Sequence, residues 1–434
     1  MSKGKILLII LVLLFSLLLR LHNYAIYPQR GATSDEYTYS FLGVSLLTKG
    51  KPISWSNFPA YKEVTNLTIR GIYFPIVSPY FDHPPLNGLL VGGFALLFGQ
   101  NSFEKITLEV IRIVPIILAT ISSILVFLIA KKLYGYKIAL WSLIIFSTVP
   151  AFVMNMRVVF AEDLLTVFFL LAILLFISVR QVTQKTAVFL GVLAGLSLLT
   201  KIAGLSVFFF LLLLFLHQNA KKKYVAIFSL VFLFFVGILL LYAFYFDWNL
   251  FWEIQSTQST RNIGPNTLLI LTTMTTIVNK IVPDGWYFFG FLSFFTSFWD
   301  FGKNKFLLIP GVVYFLFLLL SMTQEGNSGW YMIPLFPIFS ILIAKFVFDS
   351  LSKPSFAFML FLIFIGWNHV HYLLEVPFGL TPIRFRLVTL LIFLPFLVLY
   401  IRHQEKAYAV LGEVYFYLFI ATNFFLSYNY IHPA

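Results

Sequence analysis

No cysteine occurs anywhere in the 434-residue chain, so disulfides and thiolate metal sites are excluded outright. Charge is nearly as scarce: Asp, Glu, Lys and Arg make up 11% of the residues, where an ordinary soluble domain carries about 25%. Acids are the scarcest of all, 17 against 30 Lys and Arg. There is no glycine-rich phosphate loop, no repeat at a fixed period and no low-complexity linker. The chain is therefore far outside the range of soluble domains.

What fills the chain instead is hydrocarbon. Apolar residues account for 60% of it, the mean hydropathy is +0.92, and apolar runs of ~17–25 residues, the length of a membrane-spanning helix, recur throughout. The 53 Phe and 22 Tyr suit lipid-facing surfaces and interfacial belts. The net charge of +13 points to anionic headgroups and orientation signals, not to nucleic acid. Lys3 and Lys5 followed by Ile6–Leu19 have the look of a signal peptide, but no small-x-small site precedes Arg20-Leu21-His22. An uncleaved first span is expected.

Thirteen spans are expected, near Lys5–Leu21, Leu108–Ala130, Ile138–Met154, Leu164–Val179, Ala187–Leu199, Ile202–His217, Tyr224–Phe246, Gly285–Asp300, Phe306–Met322, Tyr331–Leu351, Ser355–Tyr372, Leu387–Ile401 and Ala407–Tyr428. The run Leu86–Phe98 is too short to cross a ~30 Å core comfortably, and Gly88, Gly92 and Gly93 weaken it as a helix. With that run interfacial or re-entrant, 16 of the 30 basic residues fall in short inner loops, against 10 if it crossed. Thirteen of the 17 acids then lie outside. The expected protein is an all-α, multi-pass plasma-membrane chain, one domain over 1–434. Its amino terminus is cytoplasmic, and its carboxyl terminus and first loop are on the outer side. Residues 21–107 would form a large external, catalytic loop with interfacial helices, 108–351 the remaining core and 352–434 the last spans.

That first loop collects what the rest of the chain lacks. It opens with Thr33-Ser34-Asp35-Glu36-Tyr37 and closes with Phe81-Asp82-His83-Pro84-Pro85-Leu86. Adjacent carboxylates beyond a span are costly unless they face water or a substrate, so the loop reads as the reaction floor of a membrane enzyme. Neighbours on a helix point ~100° apart, so one carboxylate would act on a reacting group while the other orients it or holds the loop. The two prolines fix the backbone and aim the side chains before them. Further along, Arg157 with Glu162-Asp163 sits at the mouth of a span, and Lys201 stands between two apolar runs. A lysine there can snorkel to headgroups or clamp a lipid phosphate.

Taken in order, Asp35-Glu36, His83-Pro84-Pro85-Leu86, Arg157 to Thr166, Gly195-Leu196-Ser197-Leu198-Leu199-Thr200-Lys201 and Tyr331-Met332-Ile333-Pro334-Leu335-Phe336-Pro337 resemble the GT-C glycosyltransferases of the protein O-mannosyltransferase and lipid A aminoarabinose transferase type. The resemblance covers roughly Ile6–Leu351. It implies a GT-C fold of about a dozen spans and transfer of a sugar, with inversion, from a polyprenyl-phosphate or dolichyl-phosphate donor. The acceptor would be a hydroxyl or phosphate on a glycan, lipid or protein. It would make Asp35, with Glu36, catalytic, and place Lys201, His83, Arg157, Glu162 and Asp163 at the donor phosphate.

Two departures stand out. The acid five positions after the arginine is Glu162 with Asp163 beside it, and Trp330 stands where relatives carry a cation. Arg261 or Lys280 would substitute. No cofactor is expected, although Asp35, Glu36 and Glu162 leave a divalent metal open. His369 and His371 read as part of an aromatic belt, and no Trp-Trp-Asp run of the oligosaccharyltransferase kind is present. The competing classes are a flippase or transporter for lipid-linked glycans, which should place charge along a path through the bundle, and a ligase acting on longer glycans.

Overall fold

A computed structural model of the chain describes residues 2–31, 33–69, 71–260, 274–275, 281–282, 285–321, 329–351, 358–363, 365–366, 369 and 381–429. Among these, eight helical stretches are long and apolar enough to cross a membrane: Lys3–Leu21, Leu108–Tyr134, Ala161–Ser178, Lys222–Phe246, Gly285–Ser321, Gly329–Leu351, Pro382–Ile401 and Glu405–Asn429. Four shorter apolar helices, Leu86–Leu97, Tyr136–Thr148, Gln184–Thr200 and Ile202–His217, complete the bundle. Half of the Ser355–Tyr372 run lies outside the described residues, and the number thirteen stays an expectation of the sequence. The first helix exposes Ile6, Leu7, Ile10, Leu11, Leu14, Phe15 and Leu18 along its length. A stripe that apolar is stable against lipid and not against water, and the chain is a multi-pass membrane protein.

Expected spans are interrupted where proline or short 3₁₀ turns intervene. Ile138–Met154 is two helices, Tyr136–Thr148 and Pro150–Asn155. Proline forces the residue before it out of the α region, and Val149 accordingly takes φ −59° and ψ 122°. The break turns the chain so that Arg157 to Asp163 enters the bundle. Likewise Tyr331-Met332-Ile333-Pro334 forms a 3₁₀ stretch, Gly329–Leu335, before the Phe336–Leu351 helix begins.

The first loop is built on a helix pair. Asp35–Lys49 packs along Leu86–Leu97, and the glycines that weaken the second helix are what let the backbones touch. A Cβ on Gly43 would lie 1.8 Å from the Gly88 carbonyl oxygen, and one on Gly92 would lie 2.4 Å from the Val44 nitrogen. The short run therefore works as a packing partner for the loop, covering the helix that begins with Asp35.

The all-α expectation needs two amendments, a two-stranded antiparallel pair of Met274–Thr275 with Ile281–Val282 and a small antiparallel sheet in the first loop. Strands β1 (Ser54–Trp55), β2 (Val64–Ile69) and β3 (Ile72–Val77) lie in the order β1-β3-β2. Ile69 pairs with Ile72, which leaves two residues to turn, and Gly71 takes the positive φ of 80° that the turn demands. The sheet is pinned to the first helix of the loop. Ser54 Oγ donates to the Thr38 carbonyl at 2.8 Å, and the Trp55 indole N–H donates to the Ser34 carbonyl at 2.9 Å.

Candidate active site

Under this loop lies a cavity of about 540 Å³, lined by residues that are far apart in sequence. Asp35 and Thr38 come from the first loop helix, Trp55 and Asn57 from the sheet edge, and Tyr80, Asp82 and His83 from the loop's end. Lys201 and Tyr331 close it from the bundle, and Gln255, Gln258 and Ser259 from the Trp248–Ser259 helix. The volume suits a sugar-sized ligand, since small-molecule sites run from roughly 300 to 1,000 Å³.

Three residues expected at the site line this cavity together: Asp35, His83 and Lys201. Asp35 opens its helix half-buried. Its carboxylate belongs where helix N-termini favour negative charge, and its backbone N–H donates to Thr33 Oγ at 3.1 Å. The His83 ring stacks on Tyr39 at 5.1 Å between centroids. Lys201 interrupts the helical run after Thr200 with an extended backbone, φ −158° and ψ 148°. Its ammonium pairs with Glu162 and lies 4.3 Å from the centre of the Tyr331 ring. Glu162 is 1% exposed and Lys201 12%, so the carboxylate sits behind the ammonium and the ammonium faces the cavity.

The other expected site residues brace the frame. Glu36 is fully buried and takes a bidentate ion pair from Arg112, Nε to Oε1 and Nη2 to Oε2, both at 2.8 Å. Arg112 Nη1 also donates to the carbonyls of Tyr24 and Pro28 at 2.8 and 2.6 Å, and the Val159 N–H reaches Glu36 Oε1 at 3.3 Å. Glu36 thus ties the end of the first span, the loop helix and the 157–163 turn to one another. It does not line the cavity, because its bond to the helix points about 100° away from that of Asp35.

Arg157, expected at the donor phosphate, is 1% exposed inside the bundle. Its guanidinium donates to the carbonyls of Leu19 and Ser427, where it joins the first helix to the last. Asp163 caps the helix it opens, accepting from the Phe160 N–H at 3.2 Å. Of the two adjacent acids, Glu162 is therefore the one that meets Lys201. Trp330, at the position of the missing cation, stacks on Phe160 at 4.9 Å and 9°. Arg261, Lys280 and His371 lie outside the described residues. Asp35, Glu36 and Glu162 form no metal cluster, and no group of three or more His, Asp or Glu side chains is placed to hold a metal among the described residues.

Four functional neighbours were missed in the sequence: Arg112, Tyr61, Gln255 and Gln258. Tyr61 donates its hydroxyl to Asp82 Oδ1 at 2.7 Å and accepts from the Phe81 N–H at 2.8 Å. Burial and the Asp82 charge push the Tyr61 phenol well above its ordinary value, so it remains a donor that fixes Asp82. Gln255 and Gln258 donate to the carbonyls of Phe81 and Asp82 at 3.3 and 2.9 Å, latching the Trp248–Ser259 helix onto the Asp82-His83 turn. The signal for Arg112 was present: an arginine opening an apolar span is expensive without a partner, and Glu36 was the acid in need of one.

Residues 82–244 match the family described as dolichyl-phosphate-mannose-protein mannosyltransferase. No curated protein matches the chain in sequence. Among solved structures, the fold is similar to that of ArnT from Cupriavidus metallidurans bound to undecaprenyl phosphate, with a TM-score of 0.56 and 14% identity over 98% of this chain and 78% of that one. It is similar also to the apo oligosaccharyltransferase of Archaeoglobus fulgidus, with a TM-score of 0.56 and 13% identity over 100% of this chain and 57% of that one. A third similar structure is the Archaeoglobus fulgidus oligosaccharyltransferase AglB in complex with an inhibitory peptide and a dolichol-phosphate, at TM-score 0.53 and 14% identity, over 100% of this chain and 56% of that one. Likeness at these identities is likeness of fold, and the family match spans residues 82–244. The chain therefore has the fold of ArnT and of the Archaeoglobus fulgidus oligosaccharyltransferase, and within it those residues match a family of mannosyltransferases.

Proposed function

We propose that the chain transfers a sugar, with inversion, from a polyprenyl-phosphate or dolichyl-phosphate donor to an acceptor hydroxyl at the non-cytoplasmic face. The observation that carries this reading is the meeting of Asp35 and Lys201 in one cavity beneath the first loop. A carboxylate and a cation on opposite elements supply the two things the reaction needs. Asp35 takes the proton as the acceptor oxygen attacks the anomeric carbon, a contribution of ~10²–10⁴ in rate. The bond from that carbon to the carrier phosphate breaks, and Lys201 compensates the charge that develops on the departing phosphate. A charge pair at 4 Å and an effective dielectric of 20 is worth ~4 kcal/mol.

Glu162, buried behind Lys201, holds the ammonium charged and aimed at the cavity, and Tyr331 flanks it. His83 stands beside them as a further partner for the phosphate. The matched family's description names a dolichyl-phosphate sugar, and the ArnT structure holds undecaprenyl phosphate. Both support a lipid-phosphate donor here.

A flippase would show charge distributed along the bundle, whereas here Asp35, Asp82, His83 and Lys201 gather at one cavity. The test is to incubate the purified chain with a panel of polyprenyl-phosphate sugars and follow products by mass spectrometry. Free polyprenyl phosphate and a glycosylated acceptor are expected. Movement of intact carrier across liposomes, with no release of free carrier phosphate, would overturn the reading in favour of transport.

A further inference from the structure

The Trp248–Ser259 helix has three faces. Asp247 caps it, accepting from the Leu250 N–H at 2.9 Å. Trp248 and Trp252, one turn apart, are 40% and 48% exposed, as suits indoles at a membrane interface. Phe251 and Ile254 are buried against Tyr61, Tyr80 and Phe81. Gln255, Gln258 and Ser259 turn to the cavity.

The two glutamines are held in one orientation. Their partners are backbone carbonyls, which only accept, so each amide must present its NH₂ to the loop. Each side-chain carbonyl is then left as an acceptor that makes no hydrogen bond among the described residues. Trp55, its ring fixed by its hydrogen bond to the Ser34 carbonyl, lines the same cavity, as does Asn57. Neutral amides and an aromatic ring lining one cavity suit an array of hydroxyls on a C–H-bearing ring.

The charges narrow the class further. Among the described residues the lining carries two carboxylates, Asp35 and Asp82, and one lysine already paired with a carboxylate. A second anion on the sugar would meet repulsion from these carboxylates, with no second lysine or arginine in the lining among the described residues to answer it. We propose that Gln255 and Gln258, with Trp55 and Asn57, form the subsite that reads the transferred sugar, and that this sugar bears hydroxyls but no carboxylate. The proposal rests on the transferase reading above and names the substrate class of that same cavity.

The test compares the purified full chain with Gln255→Leu, Gln258→Leu and Asn57→Ala, the last of which disturbs no latch. Donors are polyprenyl-phosphate hexose and polyprenyl-phosphate hexuronate, and sugar-free polyprenyl phosphate is the binding probe. Each substitution is expected to lower kcat/KM for the hexose donor about 3–10-fold, the worth of one neutral hydrogen bond. Affinity for the sugar-free carrier should not move, and wild type should favour the hexose over the hexuronate. Equal use of the hexuronate, wild-type kcat/KM in all three variants, or a matching loss of sugar-free carrier affinity would each overturn the subsite. Failure of the wild type to transfer from any donor would instead count against the transferase reading, and the subsite would fall with it.

Discussion

Arg112→Met is the substitution whose cost the structure sets most directly. Both Arg112 and Glu36 are fully buried, and the arginine makes four hydrogen bonds, two to Glu36 at 2.8 Å and one each to the Tyr24 and Pro28 carbonyls. Removing it leaves a carboxylate buried with only the Val159 N–H, at 3.3 Å, and two carbonyls without this donor. Breaking one side of such a pair costs about 3–5 kcal/mol. Glu36→Gln should cost less than that, because the amide still accepts from Arg112. The paired change Glu36→Met with Arg112→Met should cost less than the sum of its two single changes, since no uncompensated charge remains, and the coupling should be on the order of 0.5–3 kcal/mol. Thermal unfolding of the purified protein in one detergent, followed for wild type, both singles and the double, measures this cycle. Turnover should fall with stability, because the same brace sets the helix that starts at Asp35. An Arg112→Met protein as stable as wild type, or singles that add without coupling, would refute the reasoning.

Lys201→Ala should weaken binding of sugar-free polyprenyl phosphate by about 10–100-fold, the value of a hydrogen bond to a charged group, and should also destabilise the chain because buried Glu162 loses its partner; unchanged affinity, read by titration on the folded protein, would return Lys201 to snorkelling. Arg157→Met should destabilise the chain by about 3–5 kcal/mol, as expected for a buried charge network losing a member, while donor affinity in the folded fraction stays as in wild type. Gly92→Val should prevent the two loop helices from closing, since a Cβ there meets the Val44 nitrogen at 2.4 Å; the readout is accelerated proteolysis of residues 33–98, and a protected loop would contradict it.

Much of this was legible in the sequence, and the failures have physical causes. Asp35, His83 and Lys201 announced themselves because charge in so apolar a chain is expensive and must be used. The division of labour within Asp35-Glu36 was legible only as an alternative, since adjacency says the two diverge but not which faces the cavity. Arg157 and Lys201 read alike in the sequence, because a lone cation near a span end looks the same whether it meets backbone carbonyls, as Arg157 does, or lines a cavity, as Lys201 does. Gln255 and Gln258 gave no signal, because neutral amides on a loop helix carry neither periodicity nor charge. Gly88 and Gly92 were read as weakness in a helix, and the close approach to Gly43 needed the fold to be seen. The Val149-Pro150 break follows from proline sterics, yet the apolar run across it hid the turn.

The central claim, that the cavity holding Asp35 is where a sugar leaves its carrier phosphate for an acceptor hydroxyl, is tested most directly by Asp35→Asn. Asparagine keeps the size of the side chain but cannot take the proton that the acceptor sheds. Single-turnover transfer and donor binding should be measured on the same preparation, with a donor that the wild type uses. The account predicts transfer slowed by ~10²–10⁴, equivalent to ~3–5 kcal/mol at ~1.4 kcal/mol per tenfold, with donor affinity essentially unchanged. Transfer at near the wild-type rate by a folded, donor-binding Asp35→Asn protein would contradict it.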